Sequence, residues 1–172
     1  DTVSAGSDGV TFLPYLTGER TPHADANARG VFFGMHGGIE RAHMARAVIE
    51  GVSFALRDSL ELMKELGVNP EEAVAVGGGA GSAFWLQVLS DVTNLPMRTV
   101  SPPEGAPLGA AMVAAVGTGT FTSAADAGAA WLSDLKSVTP NKALAGAYAE
   151  AYSRYQALYP ALKGMFTSSA SR

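Results

Sequence analysis

The stretch that decides the fold reads AVAVGGGAGSAFWLQVLSD and runs from Ala73 to Asp91. Its first four residues form a short apolar run without a polar face, which is typical of a buried strand in a parallel sheet. Ser82 is a good N-cap residue, and it predicts a helix from Ala83 to about Thr93. The stretch therefore predicts a strand that meets a helix through a glycine-rich turn.

The glycines of this turn, Gly77, Gly78 and Gly79, allow two interpretations. Because they have no Cβ atoms, they let the main chain approach a ligand closely. The helix start offers free N–H groups, so a nucleotide could lie there. Equally, a tight strand-to-helix turn can need glycine for its geometry alone. The turn is neither a Walker A loop nor a dinucleotide-binding fingerprint, because the residues after the glycines and the glycine spacing do not match those motifs.

A long helix is predicted before this stretch. Hydrophobic residues recur at spacings of three and four from about Ile39 to Leu66, so they share one helix face. Glu40 suits the start of such a helix, since a negative charge there interacts favourably with the helix dipole. Gly67 suits its end, because glycine commonly terminates helices.

Shorter elements follow the glycine stretch. Leu95 to Val100 is a second candidate strand. The last helix carries four tyrosines that mostly share one side and are expected to pack, and Pro160 is expected to bend or end it. Strands that alternate with helices indicate an α/β fold with mostly parallel strands, although few strands are visible. Helices are predicted over 108–116, 124–132 and 142–162.

Composition excludes several classes of protein. The chain has 172 residues, of which 47% are hydrophobic and 16% charged. This suits one globular domain and excludes a disordered chain. The absence of cysteine excludes thiol catalysis, disulfides and thiolate metal sites, and it fits a reducing cytoplasm. No apolar run approaches the ~18 residues of a membrane span. A net charge of −4 without a basic cluster makes nucleic acid an unexpected partner.

Two further stretches could carry chemistry. The stretch GERTPH, from Gly18 to His23, could brace a loop or face a polar substrate, but its adjacent opposite charges favour a salt-bridged turn. The small residues between Glu104 and Ala111 would allow a flat ligand to approach, but they favour close packing of a helix on a sheet. The three histidines have no ligand spacing on one helix face, so no metal site is predicted.

Taken together, these stretches resemble a known family. The segment GVFFGM at 30–35, followed after seven residues by HMARAVIE at 43–50, is similar to the second signature of the FGGY carbohydrate kinases at every defined position. The segments FLPYLTGERTPH at 12–23 and ARG at 28–30 are similar to the xylulokinase branch of that family. The segment GGGA at 77–80, with Trp85, Gln87, Ser90 and Asp91, is similar to the adenosine-side loop of the family. The segments EGA and LGAA within 104–111 are similar to the helix that follows this loop.

The resemblance, which covers residues 9–160, implies a fold and a site. Kinases of this family have two lobes of the actin-like, ribonuclease-H-like fold, with ATP in the cleft between them. Residues 1–172 would be one C-terminal lobe whose first strands lie upstream. That lobe would supply the adenosine side of the nucleotide site. Gly78 and Ser82 match positions at which members of the family contact the nucleotide. Gly79 and Ala80 would line the adenosine with their main chain.

The resemblance also implies what the chain lacks. The catalytic aspartate, the phosphate-binding loops, the sugar-binding region and most contacts to Mg²⁺ would belong to an N-terminal lobe or to the segment before Asp1. The chain alone is therefore expected to be inactive and to hold no catalytic residue. Relatives often carry a larger polar residue near the start of this helix, where this chain has Gly81 and Ala83, so the base contacts are less defined.

The implied reaction is phosphorylation of D-xylulose by ATP, giving D-xylulose 5-phosphate and ADP. An alternative is a related kinase acting on ribulose, gluconate or glycerol. A different class of function is a non-catalytic module that binds a nucleotide, or that dimerises through its long helices.

Overall fold

The computed structural model describes residues 2–101 and 105–169. Its main chain divides into two compact units. The first unit consists of the chain up to Asn69, Asp91–Asn94 and the chain from Asn141 onward; the second consists of Pro70–Ser90 and Leu95–Pro140.

Helices and strands alternate along much of the chain, as predicted. The strands are β1 (Thr11–Leu13), β2 (Val31–Phe33), β3 (Ala73–Ala75), β4 (Met97–Ser101) and β5 (Ser133–Val138). The helices are α1 (Arg41–Glu65), α2 (Ala83–Thr93), α3 (Gly105–Gly117), α4 (Ala124–Trp131) and α5 (Ala145–Ser169), with short 3₁₀ turns at Ser7–Gly9, Gly78–Gly81 and Lys142–Leu144.

Helix α1 confirms the predicted long helix and both of its ends. Glu40 caps it, and the main-chain N–H of Glu40 donates to Nδ1 of His43 over 3.1 Å, completing a capping box. At the other end Gly67 has a φ of 84°, and the N–H of Val68 donates to the carbonyl of Met63 over 2.9 Å. The left-handed glycine therefore ends the helix, as a C′ glycine does.

The first unit is organised around the contact between α1 and β1. Strand β1 is wholly buried and pairs antiparallel with β2. Gly51 of α1 lies so close to the main chain of β1 that a Cβ at this position would overlap the carbonyl oxygen of Phe12. Only glycine therefore allows the helix to approach the strand at this distance.

A buried ion pair holds the beginning of the described chain against α1. Arg46 and Glu50, 6% and 2% exposed, approach to 2.7 Å. Glu50 also accepts hydrogen bonds from the N–H of Gly6 over 3.0 Å and from the hydroxyl of Ser7 over 2.7 Å. The guanidinium of Arg46 donates to the carbonyl of Val3 over 2.6 Å. A buried pair of charges tolerates loss of water when its remaining polar positions are filled in this way.

The tyrosines of α5 form one buried face, as predicted, and each hydroxyl has a polar partner. The hydroxyl of Tyr152 donates to Asp58 over 2.6 Å, and that of Tyr159 donates to Asp25 over 2.9 Å. The hydroxyl of Tyr148 accepts a hydrogen bond from Arg46 over 2.9 Å. The hydroxyls of Tyr155 and Tyr15 are hydrogen-bonded to each other over 2.9 Å. Burial of these rings therefore leaves no hydroxyl of the four without a partner.

Pro160 does not end α5, contrary to one of the two predicted outcomes. The helix continues from Ala145 to Ser169. Tyr159 and Phe166, on either side of Pro160, are both buried, and their ring centroids lie 6.3 Å apart. Packing of this face compensates the hydrogen bond that proline cannot donate.

The second unit contains a three-stranded sheet in the order β3, β4, β5. Strands β3 and β4 are parallel, as expected, but β5 pairs antiparallel with β4 and was not predicted from the sequence. The prediction that β3 is buried was wrong, because Val74 is 43% exposed. Strand β3 is at the edge of the described sheet, where neighbouring elements cover it only in part.

Among the described residues, no helix combines the length and the apolar character needed to cross a membrane.

We predict that Gly51→Ala destabilises the protein by about 3 kcal/mol, because the new methyl group must push α1 away from β1. Gly164→Ala is the matched control. Gly164 is exposed within α5 and has open space around its Cβ position, so alanine there should stabilise by roughly 0.5–1 kcal/mol. Urea unfolding of both variants measures the difference, and equal stability of the two would contradict the close approach.

A second prediction concerns Asp58, whose pKa is raised above its usual range by burial. The folded protein binds this proton more tightly than the unfolded chain does, so the contribution of Asp58 to stability is fully present below the unfolded pKa and is lost as pH rises through the raised pKa. Asp58→Asn keeps an acceptor for Tyr152 and removes the charge. It should therefore stabilise the protein at pH 7.

Asp25 is the matched control, since it also accepts a tyrosine hydroxyl from α5. Hydrogen bonds from the N–H of Asn27 and from Tyr159 lower the pKa of Asp25. Its contribution to stability is present above the unfolded pKa and lost as pH falls through the folded one. Asp25→Asn should thus destabilise at pH 7. Thermal melts between pH 3 and pH 8 test both signs, and parallel pH curves for the two variants would refute the assignment.

Candidate functional site

The glycine turn between β3 and α2 is open to solvent. Gly77 has a φ of 85°, and the N–H of Ala80 donates back to its carbonyl over 3.1 Å. Gly78 is exposed, and apart from its two chain neighbours no residue comes within 4 Å of the position that its Cβ would occupy. The main chain at Gly78 can therefore be reached by a flat ligand, whereas Gly77 is needed for its left-handed conformation.

Trp85 of α2 covers the other side of this turn. The Cβ position of Gly79 lies 3.3 Å from the indole ring of Trp85. A side chain at Gly79 would press on the ring, so this glycine has a packing role. The two interpretations of the glycines therefore apply to different residues: Gly77 and Gly79 meet geometric requirements, and Gly78 leaves main chain open.

Ser82 caps α2, as predicted. Its side-chain oxygen accepts a hydrogen bond from the N–H of Trp85 over 3.3 Å, and its carbonyl accepts one from the N–H of Leu86 over 2.9 Å. Since Ser82 is exposed, its hydroxyl proton is free to point outward. The cap thus leaves a hydroxyl donor at the start of α2, directly after the turn that contains Gly78.

The start of α3 lies beside the end of β3. The Cβ position of Gly105 is 3.1 Å from a methyl carbon of Val76, the residue before the glycine turn. The structure therefore brings the two small-residue stretches together, and close packing explains the glycine at 105. Glu104, which was grouped with this stretch, lies outside the described residues.

The stretch from Gly18 to His23 is braced by Glu19. The two carboxylate oxygens of Glu19 accept hydrogen bonds from the N–H of Thr21 over 2.7 Å and of His23 over 2.9 Å. The favoured interpretation, a salt-bridged turn, was wrong, because Glu19 accepts from main-chain donors and forms no ion pair with Arg20. The other interpretation, that the pair of residues braces a loop, is correct for Glu19.

Two residues of this loop, His23 and Asp25, make contacts that the sequence did not predict. The imidazole of His23 stacks on the ring of Tyr159 at 3.7 Å between centroids, and the carboxylate of Asp25 accepts from the same tyrosine. The N–H of Asn27 also donates to the carboxylate of Asp25 over 2.8 Å. A carboxylate that accepts from the N–H two residues later is typical of an Asx turn, so the sequence could have indicated this hydrogen bond. The stacking depends on α5, which is far away in the sequence.

The described residues contain no group of three or more His, Asp or Glu side chains that could hold a metal ion. The Mg²⁺ that the family resemblance implies thus finds no cluster of ligands in this part of the chain, and we assign it none here.

Comparison with known proteins identifies the family. The family model described as "FGGY family of carbohydrate kinases, C-terminal domain" matches residues 2–118. A xylulose kinase from Staphylococcus epidermidis is 40% identical over 158 residues, which are 92% of this chain and 32% of that protein. The chain thus spans about a third of the length of this relative.

Solved structures show the same fold. Ligand-bound xylulose kinase from Lactobacillus acidophilus matches with a TM-score of 0.86 at 34% identity, covering 97% of this chain and 34% of that one. Gluconate kinase from the same organism matches with a TM-score of 0.85 at 34% identity and the same coverage. The actin-like fold expected of a C-terminal lobe agrees with these neighbours.

The match over 2–118 spans more than half of the 172 residues and agrees with the relatives in sequence and in structure. The chain belongs to the FGGY family of carbohydrate kinases, and the part of that family it matches is the C-terminal domain.

Proposed function

We propose that this chain is a single C-terminal lobe of an ATP-dependent sugar kinase and supplies the adenosine side of its nucleotide site. The observation that carries this proposal is the exposed main chain at Gly78, placed between an edge strand and a capped helix. From the family resemblance we also propose that the half-buried main chain of Gly79 and Ala80 lines the adenosine and that the hydroxyl of Ser82 offers a hydrogen bond. A purine could rest directly on such a turn, because no side chain intervenes.

The reaction we propose is transfer of the γ-phosphoryl group of ATP to D-xylulose, with D-xylulose 5-phosphate and ADP as products. Support comes from the relatives, several of which are xylulose kinases. A gluconate kinase of nearly equal structural similarity favours one alternative, phosphorylation of a hexonate. Steady-state rates of the complete kinase with D-xylulose, D-ribulose, gluconate and glycerol distinguish these substrates.

The division of labour follows from the residues that the chain contains. None of its acidic residues matches the family's catalytic base, so we assign the base, the sugar contacts and most contacts to Mg²⁺ to an N-terminal lobe, the expected partner of this one. Phosphoryl transfer depends mainly on positioning and on charge stabilisation, and this lobe would position the nucleotide. Because ATP is the donor, we place the reaction in the cytoplasm; a homodimer is a further proposal.

We predict that Gly78→Leu in the complete kinase raises the KM for ATP at least tenfold, because the side chain occupies the surface on which adenosine rests. The KM for the sugar should change little. Gly146→Leu is the matched control, since Gly146 in the first turn of α5 is also exposed with open space at its Cβ position. Gly146 is no part of the proposed nucleotide surface, so the KM for ATP should stay near the original value.

Thermal melts of both variants show whether either substitution disturbs the fold. Equal KM values for ATP in the two variants would argue against adenosine at Gly78. A complete kinase that phosphorylates none of the four sugars would refute the wider proposal.

A further inference from the structure

The connection between β1 and β2 is an ordered loop that contains no helix or strand longer than a single bridge. Glu19 and Asp25 exchange two main-chain hydrogen bonds of 2.8 Å each. Gly18 has a φ of 88°, and a Cβ there would lie 2.9 Å from the Cα of Ala26. Ala24 is held in the left-handed region with a φ of 51°. A long loop with this much imposed conformation is typical of a binding segment.

The two carboxylates of this loop are used to hold its shape. Glu19 accepts from the N–H groups of Thr21 and His23, as described above. Asp25 accepts from the N–H of Asn27 over 2.8 Å and from the hydroxyl of Tyr159 over 2.9 Å. Neutral donors therefore occupy acceptor positions on both carboxylates, and neither carboxylate forms an ion pair with Arg20 or Arg29.

The two arginines of the loop are both exposed and lack a carboxylate partner among the described residues. Arg29 donates to the carbonyls of Ala26 over 3.0 Å and of Ala28 over 2.8 Å. Arg20 makes no hydrogen bond or ion pair within the described part of the chain. The guanidinium of Arg20 is therefore available to a ligand, whereas that of Arg29 already donates to main-chain carbonyls.

Arg20 borders an open depression of about 440 Å³ on the first unit, lined by Thr17, Gly18, Glu19, Arg20, Ala24 and Ala26. Its volume suits a small metabolite. The hydroxyl of Thr17 and the guanidinium of Arg20 can both donate hydrogen bonds, and the alanines and Gly18 leave room. Glu19 also lines the depression, but its two oxygens already accept main-chain donors.

We propose that Arg20, with Thr17, binds the phosphoryl group of a small phosphorylated ligand in this depression. Arginine recognises phosphate through paired N–H donors in one plane. The choice of ligand class rests on the proposed kinase function, which supplies two sources of the same chemistry, a nucleotide and a phosphorylated sugar. The loop's rigidity lets the guanidinium approach the phosphate without ordering the main chain first.

The test is calorimetric titration of the complete kinase with ADP, with D-xylulose 5-phosphate and with inorganic phosphate. Arg20→Ala should weaken binding of the phosphorylated ligand roughly tenfold or more, since a charged hydrogen-bond donor is lost. Arg20→Lys keeps the charge without the paired donors and should give an intermediate affinity. Arg41→Ala, at the exposed first residue of α1, removes one positive charge outside the loop and should change nothing.

The ligands separate the two sources. Weaker binding of D-xylulose 5-phosphate with unchanged ADP assigns the depression to the sugar phosphate, and the reverse result assigns it to the nucleotide. The proposal is overturned if Arg20→Ala binds all three ligands like the original kinase, if Arg41→Ala weakens binding as much, or if the original kinase binds none of them.

Kinase activity is measured separately on the same preparations. If the kinase is active and Arg20→Ala leaves all ligand affinities unchanged, only this inference is disproved. An inactive preparation in which Arg20 still controls binding of a phosphorylated ligand disproves only the proposed activity.

Discussion

The buried ion pair between Arg46 and Glu50 is the interaction on which the first unit depends. Removing two charges from water is costly, and the cost is offset here because each partner has further hydrogen bonds. Those bonds reach the segment before β1 through Val3, Gly6 and Ser7, and they reach α5 through Tyr148. One pair of side chains on α1 therefore connects three separate parts of the chain.

This arrangement explains the signature of the family in physical terms. Both members of the ion pair lie within HMARAVIE at 43–50, and Gly51 follows directly, where α1 meets the main chain of β1. The signature thus specifies how a helix docks on a strand and holds the adjoining segment. In the same unit, two carboxylates hold the tyrosine face of α5. Tyr159 donates to Asp25 in the loop after β1, and Tyr152 donates to Asp58 of α1.

The sequence predicted the elements whose signals are local. The capped ends of α1 and α2 and the parallel pair of β3 with β4 could be derived from periodicity, caps and glycine positions. Strand β5 could not, because its six residues are a strand only by pairing with β4. The exposure of β3 and the continuation of α5 beyond Pro160 also depend on which residues pack nearby. No local sequence pattern contains that information.

The family, the α/β class and the position of the glycine turn were determined by the sequence alone, since long motifs and chain-local geometry depend only on residue order. Tertiary structure decided which glycine faces outward: Trp85 covers Gly79, and Gly78 stays open. It also decided that Glu19 turns to main-chain donors, leaving Arg20 exposed. The reason is that a side chain's partner is chosen by the folded surroundings, and residues adjacent in sequence need not face one another.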